Sequence, residues 1–223
     1  KRIKNFYLLL TKRQDLVEQV VGNYQEVMTP KTAAENLSVH HFDEEELAQF
    51  DLGFKKVDQP LVSVIIPVYN QIDYTLKCLQ SIHQHLPSVP IELVIADDCS
   101  TDETSSVLEK IKGIKVVRHS QNLGFLRSCN RAIDYCEGKY IFLLNNDTTV
   151  RPGWLDTLVS VFEKHDDAGL VGAKLVYPDG SLQEAGGIIW KDASGWNFGK
   201  NQDPDLPEFN YLKEVDYVSG AAI

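Results

Sequence analysis

The sequence predicts an α/β fold: a mostly parallel sheet flanked by helices, with a helical N-terminal extension in front of it. Two observations carry this expectation. From Leu61 onward, short β-branched runs alternate with stretches of helical spacing, as in a chain of strand–helix–strand units. The first of those runs, LVSVIIPV (61–68), is a continuous apolar β-branched stretch, which is how a strand buried on both faces reads. Residues 1–60 have a different character and are assigned as a helical extension and linker, and residues 61–223 as the α/β domain.

In the extension, Leu16, Val17, Val20, Val21, Tyr24 and Val27 recur at three- and four-residue steps and predict an amphipathic helix. Asp43, Glu44, Glu45 and Glu46 precede Leu47 and Phe50, and acids in a first turn suit the positive end of a helix dipole. Gly53 to Pro60 reads as a linker. The domain then opens on LVSVIIPV (61–68), a strand, followed by helical spacing from Ile72 to Leu86 through Leu76, Leu79 and Ile82. Glu92–Ala96 is a second strand. Ser100 stands three residues ahead of Glu103, a capping-box pattern that predicts a helix from there to Lys112. Ile114–Arg118 is a third strand, Leu123–Cys136 a helix and Tyr140–Leu144 a fourth strand. Pro152 is placed as the first residue of a helix through Phe162. After Gly169 the texture becomes Gly-rich, aromatic and loop-like.

Composition excludes several classes. With 43% hydrophobic and 24% charged residues the chain is neither disordered nor fibrous. A net charge of −10 and a pI near 5.0 argue against a nucleic-acid partner, whose phosphates call for Lys and Arg. The longest apolar runs fall well short of the roughly 20 residues that span a bilayer. Cys78, Cys99, Cys129 and Cys136 are scattered, without zinc or disulfide spacing, and read as small buried hydrophobes of a reducing, cytoplasmic protein. No secretory signal is visible. The basic residues Lys1, Arg2, Lys4, Lys12 and Arg13 suit a solvated face, or a peripheral contact with an anionic membrane. The first and last residues, Lys1 and Ile223, read as belonging within a longer chain.

Ligands of open parallel sheets bind at the carboxyl ends of the strands. Those ends carry Tyr69 and Asn70, Asp97 and Asp98, and Asn145, Asn146 and Asp147. No G-x-G-x-x-G or G-x-x-x-x-G-K-[ST] pattern is present, which weighs against an ordinary dinucleotide or P-loop site. Carboxylates facing a diphosphate need a hard cation between them, so Mg²⁺ or Mn²⁺ is expected.

Five strings in order carry a resemblance: LVSVIIPVYNQIDYTLKCLQSI (61–82), ELVIADDCSTDET (92–104), QNLGFLRSCNRAI (121–133), GKYIFLLNNDTTVRPGWL (138–155) and GLVGAKLVYPDGSLQEAGGIIW (169–190), with VDYVSGAAI (215–223) after them. Together they resemble the family-2 glycosyltransferases, whose nucleotide-binding domain has the GT-A fold. The resemblance covers nearly all of residues 61–223 and none of 1–60. It implies that Pro67, Tyr69 and Asn70 wall the nucleotide base, that Asp98 meets the imide of uracil or thymine, and that Glu92 or Asp97 supports the ribose. Asp147 closes the family's Asp-x-Asp position and would hold the metal, with Asn145 standing where the first Asp is common and Asn146 between them. Glu184 and Trp190 fall on the acceptor side.

The reaction so implied is displacement, with inversion, at the anomeric carbon of a nucleotide-diphosphate sugar, UDP- or dTDP-linked. The acceptor would be a saccharide or a lipid-linked saccharide in surface polysaccharide or lipopolysaccharide synthesis, worked on in the cytoplasm or at the inner membrane face. The family's proton-accepting base lies in a Glu-Asp motif after the stretch matching VSGAA, so it is expected beyond Ile223. Two alternatives stay open: a non-catalytic nucleotide- or carbohydrate-binding module of the same fold, and a sugar nucleotidyltransferase. The latter normally opens with a Gly-rich phosphate loop, which residues 69–72 lack.

Overall fold

The computed structural model describes residues 41–43 and 52–223. The helix expected over residues 16–27 and the one expected after Asp43 lie outside the described residues.

The core is a parallel sheet of four strands, β1 (Val62–Val68), β2 (Ile91–Asp97), β3 (Ile114–Arg118) and β4 (Tyr140–Leu143), in the order β3-β2-β1-β4. The continuous apolar runs dictate this arrangement. Val62, Val64, Ile66 and Val68 of β1 enter the larger apolar cluster on one face, while Ile65 joins Val94, Ala96, Val117 and Ala132 on the other. Helix α1 (Ile72–Gln84) covers the first face with Ile72, Leu76, Leu79 and Ile82, one helical stripe whose burial contributes about 1.5–3 kcal/mol per side chain. Helix α2 (Thr104–Leu108) adds Val107 and Leu108 to that face, and α3 (Phe125–Ile133) covers the other through Ala132. Helix α4 (Trp154–Lys164) packs Leu155 and Val159 on the first face and sets Trp154 edge-on to Phe142, with ring centroids 5.3 Å apart.

Pro67 occupies the centre of the sheet because its missing N–H costs little there. It points beyond the last β1–β4 pair, Ile65 with Leu143. After α4 the chain forms two small antiparallel pairs, β5 (Leu175–Val176) with β6 (Leu182–Glu184) and β7 (Gly187–Ile189) with β8 (Gly195–Asn197), in keeping with the loop-like texture expected there. Residues 221–223 then return antiparallel to β4. Leu143 N donates to Ile223 O (2.6 Å), Ile223 N to Leu143 O (3.0 Å) and Asn145 N to Ala221 O (2.9 Å). Beside this pairing a groove of about 410 Å³ follows β4, lined among others by Tyr140, Phe142, Leu155, Phe162 and Ile223. Among the described residues no helix is long and apolar enough to cross a membrane.

Three expectations are corrected. Ser100 does not cap α2, which starts at Thr104 behind Glu103 with no side-chain cap and spans only five residues. The Ser100 hydroxyl instead accepts the Asn70 N–H. Pro152 is not a first helical residue either. With Gly153 at φ 74 and Trp154 N bonded to Arg151 O, residues 151–154 form a type II turn that delivers the chain into α4. The stretch read as a linker has no regular structure, yet its Phe54 packs against the larger apolar cluster.

Candidate functional site

Three strand ends meet at the carboxyl edge of the sheet, with β1 between β2 and β4. At about 4.8 Å per strand spacing, the ends of β2 and β4 lie about 10 Å apart, the scale of a nucleoside joined to its diphosphate. Tyr69, at the end of β1, is 51% exposed, and Pro67 beneath it is half-buried. Asn70 and Gln71 follow at φ 58 and φ 62, consecutive left-handed residues.

The loop after β2 folds around its acids. Asp97 is 0% exposed. Its Oδ1 accepts the Ser100 N–H (2.9 Å), and its Oδ2 lies 3.5 Å from Arg118 Nη1 without a hydrogen bond. It holds the turn and offers no surface to a ribose. Asp98 is 5% exposed and uses each oxygen once: Leu123 N donates to Oδ1 and Gly124 N to Oδ2, both at 2.8 Å. This ties the loop before α3 to the end of β2. Each of those oxygens keeps a second lone pair.

Asn70 turns its amide oxygen away from any base. That oxygen accepts the Thr101 N–H at 2.7 Å, so the side chain braces the neighbouring loop. Glu92 departs furthest from expectation. It is the second residue of β2, about 16 Å of strand from Asp97 and at the opposite edge of the sheet. There it accepts the Ser63 hydroxyl (2.5 Å) and the Glu137 N–H (2.5 Å) and pairs with Lys115 (3.0 Å). Burial pushes its carboxyl up, but these donors outweigh burial and hold it below the usual range. Glu92 is a structural anchor with no route to the ribose.

After β4, Asn146 Nδ2 donates to Thr75 Oγ1 (3.0 Å), which fixes the loop on α1. Asp147 is exposed, and the buried Oδ1 of Asn145 has no hydrogen-bond partner. One free carboxylate and one orphaned amide oxygen are hard donors of the kind Mg²⁺ and Mn²⁺ prefer, and these ions take their remaining ligands from phosphate and water. The residues therefore fit such a cation as an incomplete, phosphate-completed site. Among the described residues no cluster of three or more His, Cys, Asp or Glu offers a self-sufficient one. Beneath this loop, burial pushes the Cys78 thiol up to about 12, and the charge of Asp147 adds to the rise, so Cys78 is an inert core residue.

On the expected acceptor side, Trp190 is half-buried, its backbone N bonded to Ser194 O at the tip of the β7–β8 hairpin. Glu184 is 1% exposed and accepts the Ser219 N–H at 2.8 Å. Burial pushes its carboxyl up. An acid whose folded pKa lies above its unfolded one binds more protons when folded, so stability falls as pH rises through the folded pKa. Glu184→Gln keeps an oxygen for Ser219 without the charge. Its Tm is expected to exceed that of the parent at pH 8 and to converge with it at pH 4. A constant offset across that range would remove Glu184 as the source.

Ser100, Asp102 and the 123–124 backbone belong to the site although sequence reasoning did not assign them. The signal was present in the Asp-Cys-Ser-Thr-Asp string, whose short polar side chains favour loops that bond their own backbone.

The family model for Glycosyl transferase family 2 matches residues 63–212. An uncharacterized glycosyltransferase of Haemophilus influenzae is 35% identical over 120 residues, which cover 52% of this chain and 37% of that protein. The chondroitin synthase of Pasteurella multocida is 33% identical over 141 residues, covering 60% of this chain and 14% of that protein. A crystal structure of Staphylococcus aureus TarS 1–349 in complex with UDP-GlcNAc is similar at 28% identity and a TM-score of 0.42, over 47% of this chain and 32% of that one. The chain thus spans well under half the length of these relatives.

Proposed function

The chain belongs to glycosyltransferase family 2, and on that premise we propose that residues 61–223 bind the nucleotide-diphosphate sugar of an inverting sugar transfer. The observation that carries this reading is the convergence of exposed Tyr69, the twice-bonded carboxylate of Asp98 and the free carboxylate of Asp147 on three neighbouring strand ends. Tyr69 and Pro67 take the face of the base, and Asp98 accepts the imide N–H of uracil or thymine on its remaining lone pairs. Asp147, with Asn145 Oδ1, would hold Mg²⁺ or Mn²⁺ on the diphosphate side of the site. When bound, that cation neutralises the charge that develops on the departing diphosphate.

In the transfer, an acceptor hydroxyl oxygen bonds to the anomeric carbon from the face opposite the diphosphate, and the bond from that carbon to the phosphate oxygen breaks. The hydroxyl proton passes to a carboxylate. Glu184 and Asp216 are both engaged, by Ser219 N and by Ile189 N, so we assign the proton acceptor to neither. The likeness to chondroitin synthase supports a saccharide acceptor in polysaccharide synthesis, and we extend the proposal to lipopolysaccharide. We place the work in the cytoplasm or at the inner membrane face.

Titration calorimetry of UDP, dTDP and GDP with Mn²⁺ tests the donor site. One nucleotide is expected to bind, and to bind more tightly with Mn²⁺ than without it. Silence from all three would sink the assignment.

A further inference from the structure

We propose that Asp102 is a positioning residue of the donor site, holding the Tyr69 ring in place through the backbone of the neighbouring loop. The inference rests on the donor-nucleotide reading above. Tyr69 is half in solvent, so its own packing does not fix the ring, and its direction depends on the loop that follows. That loop has an unfavourable backbone. Asn70 and Gln71 are consecutive left-handed residues and neither is glycine, a conformation L-residues avoid unless contacts hold them.

The contacts all come from the loop after β2. Asp98 N donates to Val68 O (2.8 Å), Asn70 N to Ser100 Oγ (2.8 Å), Thr101 N to Asn70 Oδ1 (2.7 Å) and Gln71 N to Asp102 Oδ2 (2.9 Å). Asp102 also reaches beyond these two loops, because its Oδ1 accepts Thr104 N at 3.0 Å, at the first residue of α2. Both carboxylate oxygens are thus spent on backbone N–H groups of different elements. Cys99, at φ 68, completes a pair of facing loops that fix each other's strained turns. Asp102 touches no nucleotide in this arrangement; it acts through Gln71 and Asn70 on Tyr69.

The geometry dictates the informative variant. Asp102→Asn is nearly isosteric but has only one acceptor oxygen, so its amide group must face either Gln71 N or Thr104 N, donor against donor. The nucleotide that binds the parent protein most tightly is titrated against parent and variant, with and without Mn²⁺. Affinity is expected to fall about tenfold in both conditions, the loss of one charge-assisted hydrogen bond. The ratio of the two affinities, which reports the cation at Asp147 on another strand, is expected to stay within twofold of the parent.

Unchanged affinity, or a Mn²⁺ ratio that collapses together with the affinity, overturns the positioning role; the latter would mean a general loosening of the site. Failure of the parent protein itself to bind any nucleotide overturns the donor-site reading instead. If Asp102→Asn does not fold, Ser100→Ala carries the same test. It removes the acceptor for Asn70 N with a smaller change and is expected to show the same pattern.

Discussion

Asp147→Ala is expected to abolish the gain in nucleotide affinity that Mn²⁺ provides, a loss of roughly 100-fold, or about 2.7 kcal/mol. The size follows from how few charges the site holds. Asp97 is buried under its own turn, both oxygens of Asp98 already hold the backbone of residues 123–124, and the other donor near Asp147 is the neutral amide oxygen of Asn145. A divalent cation between the protein and a diphosphate therefore depends on one carboxylate. Because Asp147 is exposed, its loss should leave Tm within about 1 °C, as for surface substitutions away from caps and networks. Without metal, affinity should stay level or rise slightly, since the variant removes a negative charge beside the phosphates. Asp147→Asn keeps an oxygen but no charge and should fall between the two. Calorimetry with and without Mn²⁺ decides it: an undiminished Mn²⁺ dependence in Asp147→Ala would move the metal away from this loop.

Much of the fold was legible because it is written in long-range periodicity. The run at 62–68 is apolar on both faces, and a central strand of a parallel sheet is buried on both faces, so its position and the sheet type came together, with the runs at 91–97 and 114–118 in step behind it. Helix starts were legible only where a single mechanism applied. The Ser100–Glu103 spacing is a genuine capping pattern, but the hydroxyl had a competing use. A strained backbone N–H at Asn70, thirty residues earlier in the chain, needed an acceptor, and no local rule sees that partner. Pro152 failed for a related reason. Pro followed by Gly fits a type II turn as well as a helix start, and the positive φ of Gly153 chooses the turn.

The site was legible as a place more than as a set of contacts. That Tyr69, Asp98 and Asp147 share one edge follows from strand order alone. The resemblance places Glu92 at the ribose, but Glu92 lies near the start of β2, while the ligand edge is where β2 ends. The resemblance places Asn70 at the base with Tyr69. Its positive φ, which turns its amide toward Thr101, is visible only in the backbone.

Gly113→Ala should be the most damaging substitution remote from the site, costing about 3 kcal/mol and lowering Tm by roughly 6–12 °C. Two separate costs add there. Gly113 has φ +79, where an L side chain is strained by about 1–2 kcal/mol, and a Cβ built on it would meet the carbonyl oxygen of Phe54 at 1.9 Å and its carbon at 2.4 Å. That obstacle is backbone, so no rotamer change relieves it. Phe54 is also not free to retreat: it packs on the larger apolar cluster, and its ring meets His83 of α1 edge-on at 5.6 Å. If residues 53–60 were merely a tether, the segment would swing aside and only the strain at Gly113 would remain. The structure makes it part of the domain, so the collision must either break the Phe54 contacts or distort the turn into β3. Gly113→Asn separates the two costs, because Asn tolerates the left-handed region better than Ala while carrying the same Cβ. It should recover part of the loss and leave the collision. Trypsin cleavage after Lys55 and Lys56 should be faster in both variants than in the parent. A Tm fall below about 3 °C in Gly113→Ala, with cleavage unchanged, would return residues 53–60 to the status of a linker.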